Sequence, residues 1–194
     1  MAINPEGTLI SLARDYASAT PFKPEAQIGD HTLTIQQWDV ETGRLKLEFD
    51  VSQPKIRFVG PMIDSVAYSP DGKEIVTGFG NTLAKRLVVW NSGTGEYLRE
   101  IPIEFPPFKA WGVNSLAISP NGAVLAVSLS DNRLMFFDFS SGELLNELGL
   151  SLSGFGLKFS SDGTRIAYSD ASTIFVRSIN LLGCVQIFSH FRFG

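Results

Sequence analysis

The chain is poor in the residues from which most active sites and covalent frameworks are built. It has one cysteine, Cys184, in 194 residues, so no intrachain disulfide can form and a disulfide-stapled scaffold is excluded. Its two histidines are His31 and His190. Zinc held by Cys184 and His190 would be short of ligands. No base lies in sequence reach of Cys184 to activate it as a nucleophile, and a buried thiol is the simpler reading. His31 beside Asp30 reads as a loop entering a strand rather than an acid–base pair. Positive charge is not in excess: 16 Lys and Arg against 20 Asp and Glu leave a net charge of −4, the opposite of a nucleic-acid footprint. No apolar run approaches the roughly 18–20 residues of a membrane helix. The N-terminal MAINPEGTLISLARDYA lacks the basic-then-apolar order of a signal peptide. The expectation is a cytoplasmic or nuclear protein with no cofactor, no metal, and neither nucleic acid nor membrane as partner.

Helix-favouring runs are scarce as well, whereas phenylalanine (15) and glycine (18) are abundant, which leans toward β structure. What the chain does have is internal repetition. NPEG occupies residues 4–7, SPDG 69–72, SPNG 119–122 and SSDG 160–163. The last three follow the apolar segments DSVAY, VNSLAI and FGLKF, and all four precede another short apolar run. In such a turn proline pre-sets φ, Asp or Asn bonds back to its own backbone, and glycine accepts positive φ. Downstream, Trp38-Asp39, Trp90-Asn91 and Phe137-Asp138 each end a β-rich run, and a glycine follows each aromatic at Gly43, Gly95 and Gly142. The runs RLKLEF, EYLREI and ELLNEL then read as strands. The unit is four strands, a to d, with a tight a–b turn, a variable b–c loop and a tight c–d turn. Aromatics at 38, 90 and 137 mark strand c, and the spacing puts Val176 at that place in the fourth copy. These intervals bracket a repeat of roughly 40–45 residues. A β-sandwich also spaces its strands evenly but has no reason to repeat two turn sequences; a β-propeller does.

The motifs SVAYSPDG, LVVWN, TGE and QQWDVETG resemble the WD-repeat family over about residues 1–180. The resemblance implies an all-β propeller of about four four-stranded antiparallel blades, near 1–50, 51–103, 104–150 and 151–180. It also implies a hydrogen-bonded set in each blade: a His before strand a, a Ser or Thr in strand b, an Asp in the b–c turn and the strand-c Trp. The match is partial. Trp38 and Trp90 hold the Trp place, Phe137 and Val176 replace it, Thr77 alone supplies the strand-b hydroxyl (Leu12, Val127 and Tyr168 stand elsewhere), and Asp131 and Asp170 supply the turn carboxylate, with Asp30 a further candidate. The structural repeat positions are therefore Trp38, Asp39, Gly72, Thr77, Trp90, Gly122, Asp131, Phe137, Asp138, Gly163 and Asp170. Four blades sit at the lower end of propeller closure, and both terminal copies are cut within a unit. The expectation is an incomplete or open ring, with closure by itself or by association as the alternative. In the tail, 181–194, alternation of Val185, Ile187, Ser189, Phe191 and Phe193 suits an edge strand. Open blade edges invite self-association.

No catalytic constellation emerges. Gly78-Phe79-Gly80 and Gly154-Phe155-Gly156 lack the strand–GxGxxG–helix context of a phosphate cradle; the first is expected at a b–c loop and the second at the start of strand a, both as turn glycines. The carboxylates Asp39, Glu41, Asp71, Glu96, Asp138 and Glu143 recur at turn positions. Individuality lies instead in the d–a and b–c loops, where Phe22, Lys23, Arg57, Phe58, Phe105, Phe108, Lys109 and Trp111 mix aromatics and cations, the residue types of interface hot spots. Packing between blades is the competing role for those aromatics. The function expected is a non-catalytic scaffold binding a protein or peptide through the d–a and b–c loop face. The rivals are a fragment of a YVTN- or quinoprotein-like enzyme or surface protein, whose turns are similar, and a truncated product without independent function.

Overall fold

A computed structural model describes residues 1–17, 31–51, 63–79, 86–103, 112–150, 154–169, 173–179 and 191–193. They form four antiparallel four-stranded sheets, each in simple meander order. The first holds β1 (Ala2–Ile3), β2 (Leu9–Ala17), β3 (His31–Asp39) and β4 (Leu45–Asp50). The second holds β5 (Ile63–Tyr68), β6 (Glu74–Phe79), β7 (Arg86–Asn91) and β8 (Tyr97–Pro102). The third holds β9 (Val113–Ile118), β10 (Val124–Leu129), β11 (Arg133–Asp138) and β12 (Leu144–Gly149). The fourth holds β13 (Phe155–Phe159), β14 (Arg165–Ser169), β15 (Ile174–Ser178) and β16 (Phe191–Phe193). No helix occurs among the described residues.

The tight turns explain why the strands reverse where they do. Ser69 Oγ donates to Asp71 Oδ1 (2.7 Å) and accepts the Glu74 N–H (2.9 Å). Ser119 with Asn121, and Ser160 with Asp162, repeat the arrangement. In the first copy Asn4 does both jobs, its Oδ1 accepting the N–H groups of Thr8 and Leu9 at 2.8 Å. The c–d turns use the carboxylate after the aromatic: Asp39 Oδ1 accepts from the Thr42 N–H (2.8 Å) and hydroxyl (2.6 Å), and Asp138 does the same with Ser141. Such side-chain acceptors satisfy turn N–H groups that no strand partner reaches.

Consecutive sheets stack face to face, and the repeat positions form the joints. Ile35, Phe49 and Val51 of the first sheet pack on Val66, Ile75 and Trp90 of the second. Ala67, Leu87 and Ile101 pack on Leu116, Leu125 and Phe137. Ala117, Leu134 and Phe136 pack on Leu157, Ile166 and Tyr168. Because both of its faces are covered, β10 is buried at every position, whereas β14 in the last sheet is fully buried only at alternate residues. Among the described residues no buried cluster joins the fourth sheet to the first as one does each consecutive pair, and the arrangement is that of an open, incomplete propeller.

Two turn motifs also lock one sheet to the next. A Cβ on Gly72 would lie 3.5 Å from Pro5, one on Gly122 3.8 Å from Pro70, and one on Gly163 3.5 Å from Pro120. Each turn proline thus covers the turn glycine of the following sheet. At the c–d turns the space is tighter: a Cβ on Gly95 would stand 2.4 Å from Phe49. With φ +74° as well, this place admits only glycine without displacement.

The register corrects three sequence readings. Ile75 pairs with Trp90, Leu125 with Phe137 and Ile10 with Trp38, so their equivalent Ile166 marks the fourth strand-c position, and its partner is Arg177, not Val176. Spacing alone slipped by one because the fourth b–c connection differs in length. Gly78 lies inside β6 and not in a loop; it is there because a Cβ would come 2.5 Å from Val113 of the next sheet. Gly156 sits at positive φ within β13, beside a register shift, rather than in a turn.

At the place facing the strand-c residue the four sheets use four different pairs. Trp90 Nε1 donates to Thr77 Oγ1 at 2.9 Å in the second sheet. In the fourth, Arg177 Nε donates to the Tyr168 hydroxyl at 2.7 Å. The third pairs buried Val127 and Phe137 with no polar group. The first sets Leu12 where the hydroxyl belongs, and the buried Trp38 Nε1 has no partner. A buried donor left unpaired costs about 1–3 kcal/mol, and a satisfied bond contributes about 1 kcal/mol net. Thr77→Val is therefore expected to cost about 1–3 kcal/mol and Leu12→Thr to add up to about 1 kcal/mol, both read as midpoint shifts in urea unfolding.

Candidate functional site

The antiparallel meander puts the a–b and c–d turns at one end of every sheet and the b–c and d–a connections at the other. Backbone bonds tie each end together. Val40 donates to the Thr8 carbonyl and Phe139 to that of Ala123 at the turn end, and Ser130 to that of Gly112 at the opposite end. Nothing in the repeat demands particular residues at that second end, which is where the chain varies.

The eight candidate partner-binding residues, Phe22, Lys23, Arg57, Phe58, Phe105, Phe108, Lys109 and Trp111, lie outside the described residues, as do Asp30, Asp170, Cys184 and His190. The other repeat residues lie among the described ones. Trp90, Phe137 and Thr77 are buried in the inter-sheet joints, and Gly72, Gly122 and Gly163 occupy turns at φ +71° to +72°. Asp131 accepts from Arg133 Nε at 2.6 Å, and its other oxygen is buried without a partner.

The described residues enclose two concavities. The first is axial, about 470 Å³, lined by the innermost strands of all four sheets, among them Ile3, Ser65, Tyr68, Ser115, Leu116 and Lys158. Its wall is cross-linked: Ser65 Oγ accepts the Leu116 N–H, and Ser115 Oγ accepts the Leu157 N–H, each at 3.0 Å. The Tyr68 hydroxyl meets Ser11 Oγ at 2.6 Å. These serines were not singled out from sequence, because a single serine in an alternating strand carries no signal until neighbouring strands face it.

The second concavity, about 660 Å³, is a cleft between the second and third sheets at the turn end. Its floor is Arg99. The guanidinium forms a two-pronged pair with Glu74 (2.6 and 3.0 Å), donates to the Phe139 carbonyl at 3.0 Å, and lies 4.9 Å from the Phe139 ring centre. Such a paired, stacked guanidinium braces two sheets. Sequence reasoning missed it because the equivalent strand-d residues, Leu47 and Asn146, share no chemistry with it.

The electrostatics match turn-building. Asp162 is held down to about 2, chiefly by the Ser160 hydroxyl and then by Thr164. Asp71 is lowered first by the Ser69 hydroxyl, Asp39 first by the Thr42 hydroxyl, and Asp138 first by the Ser141 N–H. All four are spent on turn donors. Asp64 moves the other way, raised by burial alone. No group of three or more His, Cys, Asp or Glu able to hold a metal occurs among the described residues.

Compared with known proteins, residues 104–138 match the family model described as WD domain, G-beta repeat. This stretch reaches through β9, β10 and β11. No curated protein matches the chain.

Carboxylates with lowered folded-state values contribute stability above their unfolded value, near 3.9, and that contribution disappears as pH falls through the folded value. The melting temperature is expected to fall between about pH 4 and pH 2 and Asp162→Asn to flatten the lower part of that decline, as followed by circular dichroism.

Proposed function

The four sheets together with the repeat at 104–138 fit the WD-repeat β-propeller family, and from that premise we propose that the chain is a non-catalytic scaffold. WD repeats generally mediate protein–protein interaction. The occupant is a protein or peptide, held at the b–c and d–a end, and the site of action is cytoplasmic or nuclear.

One observation carries this reading. The residues that recur from copy to copy are used up in turns and joints, including the carboxylates that would otherwise be acid–base candidates. What remains for recognition is the non-repeating chemistry of the connections, where residues 52–62 and 104–111 concentrate aromatic, proline and cationic side chains. A scaffold of repeated sheets carrying variable loops at one end is how function is commonly distributed on such folds. Aromatic and Arg side chains supply most interface energy.

The test is affinity capture followed by mass spectrometry, using the full chain and two variants. A Phe105→Ala, Phe108→Ala, Trp111→Ala combination is expected to lose about tenfold or more of the captured partner. The turn-end variant Lys73→Ala is expected to retain it. Equal capture by both, or loss only with the turn-end change, would overturn the assignment of the loop end.

A further inference from the structure

We propose that the open flank of the first sheet is a docking face for the fourth sheet of a second copy, so that two arcs close one ring around a shared axial cavity. The inference comes from the joints already described and does not depend on which partner the loops hold.

Every internal joint has a receiving half and a donating half, and the register tells them apart. On the receiving side stand two positive-φ glycines. Gly72, Gly122 and Gly163 are covered by the prolines of the sheet before, and Gly95 and Gly142 by Phe49 and Ile101. The first sheet keeps both glycines, Gly7 (φ +72°) and Gly43 (φ +63°), yet a Cβ on either would meet nothing within 4 Å. Leu12, at the place of the fully buried Thr77, is 36% exposed, and Ile3, at the place of Tyr68, is 55% exposed. The receiving half is intact and bare.

Among the described residues of the fourth sheet, the donating half is bare at Ile174. Ile174 occupies the register place of Leu87 and Leu134, both fully buried, but is 54% exposed. The backbone of Phe193 stands opposite Ile174 as Ile101 stands opposite Leu87 and Phe49 opposite Ile35. Both halves of one joint therefore sit on the two outer faces of the four-sheet stack, which is the condition for head-to-tail association. Two four-sheet arcs give eight sheets, within the range of about four to eight blades in which propellers close. The axial cavity, lined by one inner strand from each sheet, is completed only when the second arc is present.

Two departures set the strength of this joint. Ser161 replaces the covering proline of Pro5, Pro70 and Pro120, and Lys158 replaces Ala67 and Ala117. The joint between copies lacks one contact that each internal joint has and carries a lysine where the internal joints have alanine, so it is a reversible association.

Sedimentation velocity on the 194-residue chain over a concentration series tests this. The expected result is a monomer–dimer equilibrium between 21.2 kDa and about twice that mass. Leu12→Glu, which places a charge in the joint, should raise the dissociation constant about tenfold or more. Ser161→Pro, at an exposed turn position, should lower it, and it keeps the test decisive if Leu12→Glu fails to fold by circular dichroism. A monomer at every concentration, open-ended polymers rather than a closed dimer, or a dimer indifferent to Ser161→Pro would each overturn the proposal.

Discussion

The joint between one sheet and the next is the contact on which the rest of the structure depends. Each four-stranded meander is too small and too apolar on both faces to persist alone, and stacking is what buries Ile75, Leu125 or Phe136. The joint needs close approach, which glycines at positive φ permit. Phe49 occupies the space over Gly95, and the turn prolines cover the turn glycines in sequence along the stack. The same glycines close the turns, with the Gly72 N–H bonded to the Ser69 carbonyl and that of Gly95 to Asn91. Turn chemistry and sheet stacking are thus one constraint, and neither residue can drift without damaging both.

Because stacking carries the stability, the polar pairs inside each sheet are free to vary. Thr77 with Trp90, Tyr168 with Arg177, Val127 with Phe137 and Leu12 with Trp38 fill equivalent places by different means. Among these four pairs, the Trp38 indole nitrogen is the buried donor without an acceptor. The Arg99–Glu74–Phe139 brace is a local addition of the same kind, binding two sheets with chemistry that the equivalent strand-d residues Leu47 and Asn146 lack. A framework held this way tolerates change at single pairs while keeping its turns in register, a property suited to the scaffold role proposed above.

The proposed functions share that logic. The repeated carboxylates are consumed by turn donors and held below the usual carboxylate range, which leaves the turn end structural. The opposite end and the two bare flanks carry what is particular to this chain. The flanks differ from the internal joints in definite residues, Ser161 and Lys158, which sets the proposed association between copies apart in strength from stacking within one.

The strands, the order of the two turns and the antiparallel units were legible in the sequence, because period-two alternation and turn residues act over a few positions. The role of Thr77 opposite Trp90 came from the resemblance to WD repeats, with a fixed offset from the turn glycine serving only to locate it. The sequence could not assign Arg177 to the fourth strand-c place, since register depends on pairing across a loop of unknown length. Nor could it find Gly78 in a strand, the serine cross-links of the cavity wall, or Arg99 between two sheets. Those belong to the tertiary structure because each is a contact between sheets. Local chemistry determined the unit; how one unit fits against the next was decided only when side chains far apart in the chain came within reach of each other.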